Sequence, residues 1–284
     1  MRYCGREFSE EELAWLRQLI ALRPELSRKD LSVLFCREKN WHKQDGGLKD
    51  MSCRVAMLRM ERDGHLVLPP PRTKHTKPYK KIRTLWAAEQ AEITKSAGEL
   101  ELIFEVVSKR TSALWNEFID RYHYLGYKTL PGAQLRYFVK AEGRVLALLG
   151  FGAAAWKTAP RDSYIGWDKA TRKENLHLVV NNARFLILPW VRSKNLASRI
   201  LSLASKRLSS DWQQHYNYRP VLLETFVETQ RFQGTCYKAA NWTCVGETCG
   251  KGKLGNSEGE VPTKSVWLYP LRKDFRHHLR GAGK

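Results

Sequence analysis

Three ionisable side chains stand where a charge is costly. Asp162 follows Arg161 in PRDSYIGW, Glu224 interrupts the strand-like LLETFV, and His123 falls within the aromatic YHYLGY. A carboxylate among apolar neighbours needs a cationic partner, since desolvation otherwise drives it to protonate. An arginine would serve: Arg161 could pair with Asp162 or an arginine with Glu224, leaving His123 hydrogen-bonded in a corner. A hard divalent ion, magnesium or manganese, would serve as well. Asp162 and Glu224 would then hold the metal through oxygen, His123 would act as general base on a bound water, and Arg184 or Arg192 would neutralise a scissile phosphate. The first arrangement is structural and the second is a nuclease. Sequence spacing leaves both open.

A second constellation lies at Arg184–Leu201, RFLILPWVRSKNLASRIL. The apolar run Phe185–Val191 feeds Arg192, Lys194 and Asn195, and a helical pattern begins at once, with Leu196, Ile200, Leu203 and Leu208 along one side. A strand delivering a basic turn to a helix start is a phosphate-binding geometry, because the unpaired N–H groups and the helix dipole both favour an anion. Arg184, Arg192, Lys194 and Arg199 are therefore candidate contacts to a nucleic-acid backbone.

Composition supports such a partner. Forty-nine Lys and Arg against 29 Asp and Glu leave a net charge of +20, a field that attracts polyanions. With 43% hydrophobic residues, 10 Trp, 11 Tyr and 10 Phe, the chain has enough apolar area to fold as a globular protein. The six cysteines show no Cys-x-x-Cys pair and read as reduced thiols. No apolar run approaches the roughly 20 residues of a membrane span, so no membrane association is expected and a cytoplasmic site is.

The elements that must position these residues fall into four stretches. Residues 1–71 read as a winged-helix-like DNA-binding domain. Leu13, Leu16, Leu19 and Ile20 mark one helix, Ser27 caps a second with Leu31, Leu34 and Phe35 on its apolar face, and Met51, Val55 and Leu58 mark a third. HLVLPPP reads as the wing. Lys49, Ser52, Arg54, Arg59 and Arg62 of the third helix would face the major groove, although a bundle used only for protein contacts has the same pattern. Residues 72–99 form a basic linker and connecting helix; the acid-free run Arg72–Arg83 offers Arg72, Lys74, Lys77, Lys80, Lys81 and Arg83 to phosphates. Residues 100–272 alternate strands and helices as a mixed α/β domain, with a hairpin joining QLRYFVK to RVLALLGFGAAAW. Residues 273–284 read as a basic tail. The aromatic stretches YHYLGY and WQQHYNYRP suit either base stacking on single strands or ordinary packing.

The order strand, helix, hairpin, strand, basic turn, helix, strand, short helix, strand, strand resembles that of the Gcn5-related acetyltransferase superfamily. That resemblance implies an α/β core with a mixed sheet. In the superfamily a Gln/Arg-x-x-Gly-x-Gly/Ala loop cradles the pyrophosphate of acetyl-CoA; here Arg192–Ala197 hold that place and Asn195 replaces the first glycine, so acetyl-CoA is not expected to bind. By motif, YHYLGY, GAQLRYFV, RDSYIGW, VVNNARFLILPWV, ETFV and GTCYKAANW resemble the bacterial family of unknown function that includes the Druantia antiphage protein DruA and transposase-associated relatives. The resemblance implies work on DNA, single- or double-stranded, in antiphage defence or mobile elements. It leaves three alternatives: a metal-dependent DNA nuclease, a coenzyme-A-dependent acyltransferase, and a non-enzymatic adaptor for a helicase or another defence or transposition protein.

Overall fold

The structure, a computed structural model, describes residues 1–72, 83–130, 132–249 and 262–281. Lys74, Lys77, Lys80 and Lys81 of the basic run lie outside the described residues. The chain forms two compact units, Met1–Tyr79 and Lys80–Lys284.

The first unit opens with a hairpin of β1 (Arg2–Tyr3) and β2 (Arg6–Glu7), followed by α1 (Glu10–Leu22), α2 (Arg28–Glu38) and α3 (Asp50–Arg62). Two of the helix starts carry a reciprocal cap. Ser9 and Glu12 satisfy each other's backbone N–H at α1, and Ser27 and Asp30 do so at α2. Phe8, Leu13, Leu16, Leu31, Phe35, Trp41, Met57 and Met60 form the core.

One expectation for this unit is corrected. The buried face of α3 is Cys53, Ala56, Met57 and Met60, while Met51, Val55 and Leu58 are exposed. The helix is rotated from the expected face because its sulfur-bearing residues and Ala56, not its branched aliphatics, fill the space under α2. In the HLVLPPP segment Leu66 and Leu68 insert into the core, and hydrogen bonds from Arg17 to His65 O, Arg28 to Pro69 O and the Leu68 N–H to Glu61 hold it. Residues 39–49, with Gly46 and Gly47 among them, join α2 to α3.

The second unit is the expected mixed α/β fold. Its elements are β3 (Ile103–Val106), α4 (Ser112–Tyr122), β4 (Gln134–Ala141), β5 (Arg144–Ala153), α5 (Ala159–Ile165), α6 (Lys169–Asn175), β6 (Val179–Ile187), α7 (Leu196–Tyr216), β7 (Leu222–Glu228), α8 (Thr235–Ala239), β8 (Thr243–Glu247), β9 (Lys264–Pro270) and α9 (Phe275–Arg280). The seven strands make one sheet in the order β3-β4-β5-β6-β7-β9-β8, and within it only β6 and β7 pair in parallel. The β4–β5 turn is Glu142–Gly143, both at positive φ, the geometry a two-residue hairpin requires. Alternation along β7 and β9 sends Leu223, Val227 and Trp267 to a core shared with α4 and α7. Leu222, Val266 and Leu268 go to a second core under α5 and α9. Residues 275–280, read from sequence as tail, are therefore the helix α9, with Phe275 and Leu279 buried in that second core.

Candidate functional site

The central pair of strands parts company halfway along. β6 and β7 are paired at Val179–Leu222, Val180–Leu223 and Asn181–Glu224, after which β6 continues beside β5 and β7 beside β9. A bulge at Ala183 marks the divergence: Gly150 of β5 faces Arg184 and Phe151 faces Asn182. The strand is closely approached at Gly150, where a Cβ would lie 3.2 Å from both the Trp115 ring and the Arg184 Cβ. The crotch of the fork is closed by Asn182. Its Nδ2 donates to Gly150 O and Arg184 O, its Oδ1 accepts from the Tyr237 hydroxyl at 2.9 Å, and its backbone oxygen accepts from the Thr225 hydroxyl at 3.0 Å.

Beyond Asn182 the fork opens into a cleft of about 710 Å³. The strands contribute Arg184, the C-terminal end of α4 contributes Tyr122, His123 and Tyr124, and the loop after β7 contributes Arg231, Phe232 and Gln233. Lys264 of β9 also lines it, and none of the lining residues is acidic. Tyr124 and Phe232 are exposed at the mouth with ring centroids 5.4 Å apart, and the Arg231 guanidinium lies 5.3 Å over Tyr124. Glu228, outside the lining, accepts from Arg231 Nε at 2.9 Å. Gly234 turns the loop back at φ +70 against Trp267, where a Cβ would approach the indole to 2.6 Å.

His123 lines the cleft, apart from Asp162 and Glu224. Its Nδ1 accepts the Leu125 N–H at 3.2 Å, and burial, reinforced by the Arg184 charge, pushes its pKa down to about 4. The ring is neutral near pH 7, and with Nδ1 accepting, its proton sits on Nε2. His123 thus offers the cleft a hydrogen-bond donor. Asn181, the register partner of Glu224, points to the other face of the sheet, where its Oδ1 is buried with no hydrogen-bond partner among the described residues.

The carboxylates expected to bind metal are elsewhere and already saturated. Glu224 lies on β7 beside Thr225, so its side chain leaves the opposite face of the sheet from the cleft. Its oxygens accept from Ala155 N at 2.7 Å and Arg161 Nη1 at 2.8 Å. Asp162 accepts from Arg161 Nε and Nη2, Trp167 Nε1, Arg172 Nη1 and Thr158 N. Burial pushes the Glu224 carboxyl up and Arg161 opposes it. Two arginines balance two carboxylates, and a divalent ion would have to displace a guanidinium. Among the described residues no three His, Cys, Asp or Glu side chains are grouped to hold a metal ion. The structure brings Asp162 and Glu224 together through Arg161 as an ion pair and leaves His123 apart from them.

The basic turn at α7 lies next to the cleft, for Ala197 lines it while Asn195, Ser198 and Arg199 line a separate hollow of about 470 Å³ with Lys194. Asn195 adopts the left-handed backbone, φ 63, that the turn demands. Two of the turn's amides are committed: Arg192 N–H donates to Ile93 O at 2.8 Å and Leu196 N–H to Ser193 O. The Arg192 side chain pairs with Glu92. The remaining sequence candidates are dispersed. Lys49 precedes α3, Arg54 pairs with Asp50, Arg72 donates to Glu25 O, and Arg83 donates to Asp120 at 3.0 Å.

Sequence reasoning missed Arg231, Phe232 and Lys264, which sit far apart in the chain. The polar ETQRFQGT, with an aromatic directly after an arginine and before a turn glycine, is the signal that was there to be read.

The family model described as Druantia protein DruA matches residues 59–261. None of the curated proteins matches the chain significantly. Among solved structures the chain is similar to spermidine/spermine N-acetyltransferase SpeG from Vibrio cholerae, at 10% identity over 62% of this chain and 95% of that one, with a TM-score of 0.40. It is also similar to an N-acetyltransferase from Staphylococcus aureus Mu50, at 12% identity over 61% and 99% with a TM-score of 0.38. An acetyltransferase of the GNAT family from Streptococcus pneumoniae matches at 12% over 60% and 99%, TM-score 0.39. Likeness of this degree says nothing of activity, and the fold is defined by the strand order given above. Among the described residues no helix is long and apolar enough to cross a membrane.

Proposed function

Because the chain belongs to the DruA family, we propose that it acts on DNA in antiphage defence, and that the fork between β6 and β7 receives a single-stranded stretch or end of that DNA. The observation that carries this reading is the make-up of the cleft: Arg184, Arg231 and Lys264 with no acidic lining residue, and the Tyr124–Phe232 pair at its mouth. Cations that follow a backbone, joined to aromatic faces that any base can stack on, are what sequence-tolerant single-strand binding needs. The volume suits one or two nucleotides. A duplex is too wide to enter a gap within one sheet, since neighbouring strands lie only about 5 Å apart where they are paired. The His123 Nε2–H offers a donor to a base edge or phosphate.

The test is fluorescence anisotropy with labelled oligothymidylate and a matched duplex on the full chain. Single strands should bind more tightly, and Arg184→Gln with Arg231→Gln should weaken them by about tenfold or more. Equal affinity for duplex and single strand, untouched by both substitutions, would overturn the reading.

A further inference from the structure

Outside the cleft, one short turn is held in place with unusual thoroughness and yet presents apolar side chains to water. Residues Leu85–Ala87 form a 3-10 turn packed on α4. At its start the Thr84 N–H donates to Glu117 Oε1 at 2.6 Å and the Thr84 hydroxyl to Oε2 at 2.9 Å. At its end Ala87 O accepts from Arg121 Nη1 at 2.7 Å and from the Tyr122 hydroxyl at 2.8 Å. Glu117 is itself buried and pairs with Arg121 at 3.3 Å, so both ends are fixed by one network along a single face of α4. Between these anchors Leu85 is 92% and Trp86 80% exposed.

A free loop would fold such side chains back onto the protein, because burying a tryptophan is worth more than leaving it wet. Here the backbone is pinned in the conformation that keeps them out. Preorganised aromatic exposure of this kind lowers the entropy cost of binding. The position selects the ligand. Tyr122, which holds Ala87, also lines the cleft, and His123 and Tyr124 follow it directly, so the turn and the mouth are built on the same end of α4. The turn also comes directly after Arg83, at the end of the acid-free sequence Arg72–Arg83.

We propose that Trp86 is a second base-stacking platform for the single strand whose other part lies in the cleft, with Leu85 shielding the stacked face. This rests on the single-strand reading above and extends it from a pocket to a path. It implies a footprint longer than the cleft alone can fill.

Trp86→Ala, Trp86→Tyr and Leu85→Ala variants of the full chain, each checked for an unchanged melting temperature, would be titrated with oligothymidylates of about four and about twelve nucleotides. Trp86→Ala should lose roughly fivefold to a hundredfold in affinity for the longer oligomer, the range expected for one stacked base, and little for the shorter. Trp86→Tyr should recover most of the loss, and Leu85→Ala should fall between. If Trp86→Ala binds the longer oligomer as wild type does, while the Arg184 and Arg231 variants are impaired, the platform is wrong and the cleft stands; the exposed pair then belongs to a protein interface. If wild type binds neither oligomer, both readings fail together.

Discussion

Arg161 donates its Nη1–H to Glu224 Oε2 at 2.8 Å, and both side chains are wholly buried. Neither charge can recover its hydration if the other is removed. Arg161→Met should therefore cost about 3–5 kcal/mol in urea denaturation, the range for breaking a buried pair from one side. Asp162→Asn and Glu224→Gln should also lower the unfolding midpoint. A variant of either that melts like wild type would contradict the network described.

His123 gives a pH dependence of definite sign. Its folded pKa of about 4 lies below the ordinary imidazole value of 6.5, so between these the unfolded chain binds the proton and the folded chain does not. Its contribution to stability is complete above pH ~6.5 and is lost as the pH falls toward ~4. The His123→Gln variant should show a shallower decline in melting temperature over that interval than wild type, measured in parallel in low-salt buffers. Identical declines would remove His123 as a cause.

Electrostatics should be separable from stacking by salt. For a single strand, neutralising about six phosphates gives a log–log slope of affinity against salt of roughly −4. Replacing Lys74, Lys77, Lys80, Lys81 and Arg83 together with Ala should flatten that slope, whereas Trp86→Ala should shift the line without tilting it. An unchanged slope in the five-site variant would place the run outside the interface.

Acetyl-CoA should show no micromolar binding by calorimetry. The Arg192 and Leu196 amides are committed to Ile93 and Ser193, and Asn195 occupies the position where glycine lets backbone approach phosphate. A low-micromolar dissociation constant abolished by Arg192→Glu would move the protein into the transferase class.

What could be read from the chain followed the strength of its local signals. The hairpin turn Glu142–Gly143 and the Ser27–Asp30 cap are local, and the structure has both; of the expected side of α7 it buries Leu196, Ile200 and Leu208, with Leu201 rather than Leu203 completing the face. The third helix failed because a helix with apolar residues on two sides gives no unique inner face: Met51, Val55 and Leu58 made one stripe and Cys53, Met57 and Met60 another. The arginine partner of Glu224 lies 63 residues away, and whether it or a metal compensated the charge was a question of tertiary placement. The cleft was illegible for the same reason, since Tyr124, Arg184, Arg231 and Lys264 meet only because two strands diverge.

The parting of β6 and β7 has a mechanical side. β3 to β6 form one plate and β7 to β9 another, and three residue pairs at one corner are all the ladder that joins them. The ladder ends at Asn181–Glu224, at the base of the fork. Glu224, the last residue paired across the joint, is also the residue clamped by Arg161 and by the Ala155 N–H. The buried charges therefore sit against the last rung of the short ladder that joins the two halves of the sheet.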